Sequence, residues 1–154
     1  MIKREHYLAQ IEPFVDSDLI KVITGIRRCG KSVILKQLAQ RIQDRTENVF
    51  FLEFENKRTR ALLSDDDKVI RYVDEHRTKE KCYVFLDEVQ EIENWPDICQ
   101  TLRLEDCSVF ISGSNSKLLS SEFTDALSGR YVSFQVHPFV WKEMQKYATE
   151  LNRT

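Results

Sequence analysis

Short apolar runs alternate along the chain with segments whose apolar residues recur at helical spacing. Continuous apolar runs at 82–86 and 108–111 are typical of central strands in a parallel sheet, where helices cover both faces. Runs at 19–23 and 49–54 also have strand character, and the alternating run at 131–136 predicts a less buried strand. The pattern therefore predicts five strands.

Helical periodicity fills the gaps between these runs. It predicts a first helix over 5–15, with Pro13 disturbing its last turn, and a second over 31–42. Ser64 begins a segment that resembles a capping box, and Trp95 precedes a Pro and an Asp placed for the first turn of another helix. Alternating strands and helices predict a three-layer α/β/α domain with a five-stranded parallel sheet, in which ligands bind outside the carboxyl ends of the strands.

Composition narrows the class of protein. The 154 residues, 42% hydrophobic and 31% charged, suit a single domain over 1–154 with one hydrophobic core. The formal net charge of −2 gives no overall attraction to nucleic acid or to anionic lipid. The four cysteines form no C-x-x-C pair, which argues against a zinc site and favours the cytoplasm. We find no signal peptide and no run long enough to span a bilayer, so no membrane partner is expected.

The first strand leads through a glycine-containing loop directly into a helix. Residues 25–32 read GIRRCGKS and satisfy the pattern G-x-x-x-x-G-K-[ST] of a phosphate-binding P-loop. Glycines let backbone N–H groups curl around a phosphate, and the helix N-terminus adds partial positive charge. Lys31 would reach the β- and γ-phosphates, and the Ser32 hydroxyl would ligate Mg²⁺. The predicted phosphate-binding residues are Gly25, Ile26, Arg27, Arg28, Cys29, Gly30, Lys31, Ser32 and Val33.

Three residues inside this loop allow two interpretations each. Arg27 and Arg28 either contact phosphate or form a solvated loop surface. Cys29 either packs beside the loop or acts as a nucleophile, and packing is favoured because no catalytic histidine is assignable. An accidental match to the whole motif has a chance of under about 1% in a chain of this length, from average residue frequencies. A phosphate site is therefore the preferred interpretation of the loop.

Two adjacent acids, Asp87 and Glu88, follow the third predicted strand at the edge of the sheet where the P-loop also lies. Asp87 suits the magnesium shell, and Glu88 could polarise the attacking water as a general base. Solvated acids at a strand end are the alternative. Their position beside the P-loop favours the metal and water roles.

The fourth predicted strand ends in the polar segment 112–115 at the same edge. Asn115 is the first choice for a side chain that senses the γ-phosphate or the water, and Ser114 is the second. The alternative is a polar turn that caps a helix near Leu118. The sequence leaves both interpretations open.

Four segments carry a resemblance to a known family. They are TGIRRCGKS at 24–32, FLDEVQ at 85–90, ISGSNSKLLSSE at 111–122 and LSGRY at 127–131. Together they resemble the AAA-type ATPases of bacteria and archaea, close to the signal-transduction (STAND-like) branch, over about 19–143.

The resemblance implies roles that the residues alone do not establish. It implies the strand order 5-1-4-3-2, with Asp87 and Glu88 as the Walker B pair and Ser114 with Asn115 as the γ-phosphate sensor. Arg130 would be an arginine finger or a sensor arginine, which can accelerate hydrolysis by about 10³ to 10⁵ in GTPases. A surface arginine after a glycine turn is the alternative for Arg130.

Relatives of this kind continue past 137–139 into a further domain, whereas this chain stops at Thr154. Apolar residues in the last segment, such as Trp141 and Tyr147, would normally pack against something. We therefore expect a truncated fragment of a longer protein, with the missing C-terminal domain as a partner.

Three functions remain open. The first is Mg²⁺-dependent ATP hydrolysis that moves the missing domain, and the second is a nucleotide-binding switch with negligible turnover. In the second, a homo-oligomer would supply Arg130 in trans. A nucleic-acid-associated motor is third, weakened by the near-neutral charge. GTP is disfavoured because 56–59 lacks the acid of an N-K-x-D motif, and adenine is expected from the resemblance.

Overall fold

The computed structural model of this chain describes residues 5–25, 30–114, 118, 127 and 129–137. The elements are α1 (Glu5–Ile11), β1 (Ile20–Gly25), α2 (Lys31–Gln43), β2 (Val49–Glu53), α3 (Lys57–Leu62), α4 (Asp66–His76), β3 (Cys82–Asp87), α5 (Trp95–Leu104), β4 (Cys107–Gly113) and β5 (Tyr131–Val136). Short 3-10 turns cover Glu12–Phe14 and Val89–Glu91. Within the described part of the chain, no helix is both long enough and apolar enough to cross a bilayer.

All five strands form one parallel sheet in the order β2-β3-β4-β1-β5. Counted from the other side the order is 5-1-4-3-2, so the predicted order and the α/β/α class are confirmed. The register pairs Thr24 with Gly113 and Glu53 with Asp87, so neighbouring strands end side by side. We call this end of the sheet the carboxyl edge and the opposite end, where the strands begin, the amino edge.

Helices cover both faces of the sheet. α1 and α2 pack on one face through a core that includes Leu8, Leu35 and Phe110. α4 and α5 pack on the other face through a core that includes Val69 and Leu102. β1, β3 and β4 are buried at every position, whereas β5 is buried at only some of its positions. The pattern of continuous and alternating apolar runs therefore predicted the burial of the strands correctly.

The structure differs from the pattern mainly at the ends of elements. α1 stops at Ile11 and Pro13 lies in the following 3-10 turn, because proline has no N–H for a helical hydrogen bond. The α4 cap is Asp65, whose side chain accepts from the Lys68 N–H at 2.9 Å, rather than Ser64. The six-residue α3 was not predicted, because a helix this short has too little periodicity to detect.

Candidate functional site

The P-loop motif lies where the sequence predicts it, between β1 and α2. β1 ends at Gly25, and Gly30 is the N-cap of α2 with φ of 97°, in the left-handed region that favours glycine. Gly30 has no side chain to cap the helix, and the first N–H groups of a helix are a favourable site for an anion. Val33 lies in the first turn of the same helix.

Lys31 connects the two ends of this motif and then reaches the acidic pair. Its side chain is 4% exposed, and Nζ donates to the Gly25 carbonyl at 2.9 Å. The same Nζ lies 3.5 Å from Glu88 Oε1, at the end of β3. The ammonium is therefore held inside the carboxyl edge, where the sequence predicts a phosphate-binding lysine.

A second cluster joins α2, β3 and β4. The Ser32 hydroxyl donates to Asp87 Oδ2 at 2.8 Å, and the Ser112 hydroxyl donates to Asp87 Oδ1. Burial raises the pKa of Asp87, while the hydrogen bonds from Ser112 and Ser32 lower it and the charges of Glu88 and Glu53 raise it. The two predicted magnesium ligands, Ser32 and Asp87, are in direct contact.

Glu88 has an unusual backbone conformation, with φ of 54° in the left-handed region. Such a conformation costs free energy in a residue other than glycine and is often found at functional sites. The Glu88 N–H donates to the Ser112 hydroxyl at 3.0 Å, and the Gln90 amide donates to Glu88 Oε2 at 2.5 Å. Ser112 on β4 and Gln90 in the 3-10 turn after Glu88 therefore hold the backbone and the carboxylate of the candidate base.

Sequence reasoning missed Ser112 and Gln90. Ser112 lies in the polar segment predicted to contact the γ-phosphate, but Asn115 and Ser114 were the residues selected from it. In the structure, Ser112 contacts both acids, and its signal was a polar residue inside a buried apolar strand. Gln90 lies two residues past Glu88, and nothing in the pattern shows that its side chain folds back. The position of the Gln90 side chain against β4 also requires glycine at 113, since a Cβ there would lie 2.4 Å from Gln90 Oε1.

These groups open onto a cleft of about 540 Å³ above the carboxyl edge. The residues that line it are Lys31, Glu55, Arg60, Glu88, Gln90, Glu91 and Ser114. Ser114, the second choice for a sensor, is therefore at the site, and Arg60 is a lining residue that the sequence analysis did not select.

Five predicted site residues fall outside the described residues. They are Ile26, Arg27, Arg28, Cys29 and Asn115.

Arg130 is exposed at the start of β5, and its carbonyl accepts from the Ile20 N–H at 2.9 Å. β1 rises about 17 Å from Ile20 to Gly25 at about 3.3 Å per residue. Arg130 therefore lies at the amino edge and is not brought to the cleft of its own chain.

Two curated relatives share the sequence. One is an uncharacterized protein of Haemophilus influenzae, 40% identical over 149 residues, which are 93% of this chain and 37% of that protein. The other is an uncharacterized protein of Methanocaldococcus jannaschii, 31% identical over 129 residues, 83% of this chain and 28% of that protein. The chain therefore spans about a third of the length of these relatives.

Solved structures share the fold at low sequence identity. AMPPCP-bound DnaA from Aquifex aeolicus has a TM-score of 0.66 at 15% identity, over 99% of this chain and 53% of that one. RIF2 of Saccharomyces cerevisiae has a TM-score of 0.60 at 13% identity, over 96% and 60%. A DNA replication initiation factor has a TM-score of 0.58 at 14% identity, over 99% and 52%.

A family model matches most of the chain. The model of the AAA domain covers residues 17–145, from the segment before β1 to beyond β5. That range contains the P-loop, the acids after β3 and the polar end of β4. This chain belongs to the AAA family of P-loop ATPases.

Proposed function

We propose that this chain binds Mg²⁺-ATP in the cleft at the carboxyl edge and hydrolyses it to ADP and phosphate. One observation carries the proposal. A lysine, a hydroxyl and two carboxylates from α2 and from the end of β3 meet within hydrogen-bonding or ion-pair distance beside a glycine-capped helix N-terminus. DnaA, which has the same fold at low identity, is known with AMPPCP bound.

Lys31 has partners that a nucleotide can replace. Its Nζ is held by one carbonyl and by a 3.5 Å contact with Glu88, a distance at which an ion pair is weak. A triphosphate carries more negative charge than either partner. Lys31 therefore exchanges these contacts for phosphate oxygens, and its burial strengthens the attraction because water screens it less.

The residues also fit a magnesium ion. Among the described residues, no three His, Cys, Asp or Glu side chains form a group that could hold a metal ion. Mg²⁺ ordinarily takes one or two carboxylates with phosphate oxygens and water, which matches one hydroxyl and one carboxylate from Ser32 and Asp87. Bound there, the ion would neutralise phosphate charge, and its charge would offset the burial that raises the Asp87 pKa.

Glu88 is the candidate general base. Glu88 lines the cleft, and one of its carboxylate oxygens accepts a hydrogen bond from the Gln90 amide. Once Lys31 turns to the phosphates, the Oε1 atom of Glu88 is free to accept a proton from water. The left-handed backbone at Glu88 directs this side chain, and the Ser112 hydroxyl holds its N–H.

A single substitution separates binding from chemistry. Glu88→Gln keeps the shape of the side chain but removes its basicity, so we expect phosphate release to fall by about 10² to 10⁴-fold while ATP binding persists. Phosphate release and nucleotide titration would be measured on the same preparations. Glu93→Gln, an exposed position outside the cleft lining, is the matched control. Full turnover in Glu88→Gln would contradict the proposed role.

A nucleotide-binding switch with negligible turnover is the second candidate. The position of Arg130 at the amino edge favours it, because that arginine reaches a cleft only if another copy of the chain supplies it. An isolated chain would then have negligible turnover. Turnover per chain would rise with protein concentration as copies associate, and it would vanish in Arg130→Ala. Turnover that is independent of concentration would favour the self-sufficient hydrolase.

The longer relatives suggest what the nucleotide cycle acts on. Because this chain matches 37% and 28% of their lengths, we propose that the cycle changes the position of a further domain of the native protein. Comparing protease sensitivity of a full-length homologue with ATP and with ADP would test this.

A further inference from the structure

Arg60 brings a second cation to the cleft that contains Lys31. It lies on α3, the helix that follows β2, and it lines the same space as Glu88 and Ser114. Its Nη1 donates to the Phe54 carbonyl at 3.1 Å and lies 3.7 Å from Glu91 Oε2. The Arg60 side chain is 37% exposed, so it is anchored through Phe54 and still accessible from the cleft.

Backbone hydrogen bonds connect the segment that carries Arg60 to the end of β3. The Phe54 N–H donates to the carbonyl of Asp87, the first residue of the acidic pair, at 3.0 Å. The Asn56 side chain caps α3 by accepting from the Arg58 N–H at 2.9 Å, and the Asn56 carbonyl accepts from the Arg60 N–H at 3.1 Å. Arg60 therefore keeps a defined position relative to β3.

The charges in the cleft favour an exchange of the Arg60 partner Glu91 for a phosphate. The described lining contains two cations, Lys31 and Arg60, against three carboxylates, Glu55, Glu88 and Glu91. An incoming triphosphate adds negative charge to a site that is already acidic. The Arg60–Glu91 contact is long for an ion pair, so a phosphate oxygen at a shorter distance would displace Glu91.

The side from which Arg60 approaches decides which phosphate it meets. α3 follows β2, and β2 pairs with β3 on the side of the sheet away from β1 and its P-loop. A phosphate chain that starts on the P-loop and extends past Lys31 toward Glu88 therefore presents its terminal phosphate to α3.

We propose that Arg60 contacts the terminal phosphate of ATP bound in its own chain, exchanging Glu91 for that phosphate. The inference rests on the proposed nucleotide binding. Arg60 would thus serve the cleft of its own chain, whereas Arg130 lies at the amino edge. Arg60 thereby distinguishes ATP from ADP, because ADP lacks the group that it contacts.

The test compares the affinities of Mg²⁺-ATP and Mg²⁺-ADP in Arg60→Ala, by titration with fluorescent analogues of both. We expect ATP binding to weaken by about 10 to 100-fold, the value of a hydrogen bond to a charged group, while ADP binding stays within about twofold. Arg60→Lys should recover part of the loss. Arg58→Ala, two residues earlier on α3 and exposed, is the matched control and should leave both affinities unchanged.

Each other outcome has one meaning. Equal weakening of ATP and ADP would assign Arg60 only to holding α3 through Phe54 and would overturn the inference, whatever the melting temperature without nucleotide. Unchanged affinities would overturn it too. If the wild-type protein bound neither nucleotide, the proposed function itself would fail, which this experiment shows separately.

Glu91→Gln tests the exchange of partners. Removing the carboxylate should raise ATP affinity a few-fold in the wild-type background and have no effect in Arg60→Ala. A gain that persists without Arg60 would reflect the general charge of the cleft, and no gain at all would mean that Glu91 does not compete. Either result would overturn the exchange.

Discussion

The two edges of the sheet both bury a lysine, but they satisfy it in different ways. At the amino edge, Lys21 is fully buried and Nζ donates at 2.8 Å to both the Ser17 carbonyl and the Ser108 hydroxyl. At the carboxyl edge, the hydrogen bond that Lys31 makes within the described residues goes to Gly25, and a looser 3.5 Å contact joins it to Glu88. The first lysine has permanent internal partners, whereas the second has partners that a ligand can replace.

Other groups at the amino edge repeat the first arrangement. Asn48 is 3% exposed, and its amide donates to Thr78 Oγ1 at 2.9 Å and to the Glu80 carbonyl at 3.0 Å. Its own oxygen accepts from the Thr78 N–H at 2.9 Å. The Tyr83 hydroxyl donates to Asp16. These bonds close loops onto the sheet, so the groups that they join serve stability.

The contrast shows how one fold separates stability from function. A buried polar group costs free energy unless it is hydrogen-bonded, and Lys21 and Asn48 at the amino edge make these bonds within the protein. The carboxyl edge leaves part of this pairing to a ligand, so ligand binding should stabilise the protein. Substitutions at the two edges should therefore change different measured quantities.

Asn48→Ala should have the largest effect on the protein without nucleotide. It removes three hydrogen bonds that hold residues 78–80 against the sheet, at about 1 kcal/mol each, so we expect the free energy of unfolding to fall by about 3 kcal/mol. Denaturant unfolding would measure the change. ATP affinity should stay the same, and a matching loss of affinity would contradict the separation of the edges.

Lys31→Ala should have the complementary effect. Mg²⁺-ATP at about 100 times its dissociation constant should add about 2.7 kcal/mol to the stability of the wild-type protein, and the variant should lose most of that gain. Thermal melts with and without nucleotide would measure it. Lys36→Ala, one turn further along α2 and paired with Glu53 at 2.9 Å, is the control that should keep the gain.

Lys21 should make stability depend on pH. Burial, with repulsion from Lys81, lowers the pKa of Lys21 from 10.5 to about 7, although Asp16 and Asp18 oppose this. Between those values the unfolded chain holds a proton that the native protein does not. Stability therefore rises with pH and is lost as pH falls toward 7. Over pH 7 to 9, this group should contribute a rise of about 2 kcal/mol.

Lys21→Met is the variant that isolates this contribution. Its free energy of unfolding should lack the Lys21 part of the slope between pH 7 and 9, measured by denaturant unfolding at several pH values. Lys36→Ala again serves as a control, because its side chain is more than half exposed. Parallel slopes in Lys21→Met and the wild type would show that Lys21 titrates normally.

Gly113→Ala should have the smallest effect on stability. The added Cβ would meet Gln90 Oε1 at 2.4 Å and Leu118 Cγ at 2.6 Å, so both side chains must move, at a cost of about 1 kcal/mol. Because Gln90 holds Glu88, we expect phosphate release to fall more than ATP affinity. Unchanged turnover in a destabilised variant would show that Gln90 does not position Glu88.

Local pattern in the sequence sufficed for much of the fold and for the centre of the site. Continuous apolar runs predicted the buried strands, because burial on two faces excludes polar residues from both sides of a strand. Lys31, Ser32, Asp87 and Glu88 were predicted because each lies in a contiguous motif next to a strand end. The structure brings these side chains into contact, Ser32 with Asp87 and Lys31 with Glu88. Their roles remain predictions, as do those of Ile26 to Cys29 and of Asn115.

Only the tertiary structure revealed the partners of these residues. Ser112 touches both acids, and Arg60 enters the cleft from a helix too short to predict. Arg130, for which the family resemblance suggested a role at the site, lies at the other edge of the sheet, and the burial of Lys21 was not expected from a run predicted only as a strand. Hydrophobic periodicity reports which face a residue takes in its own element. Which side chains meet across elements depends on strand order and register, and these arise from packing the whole chain.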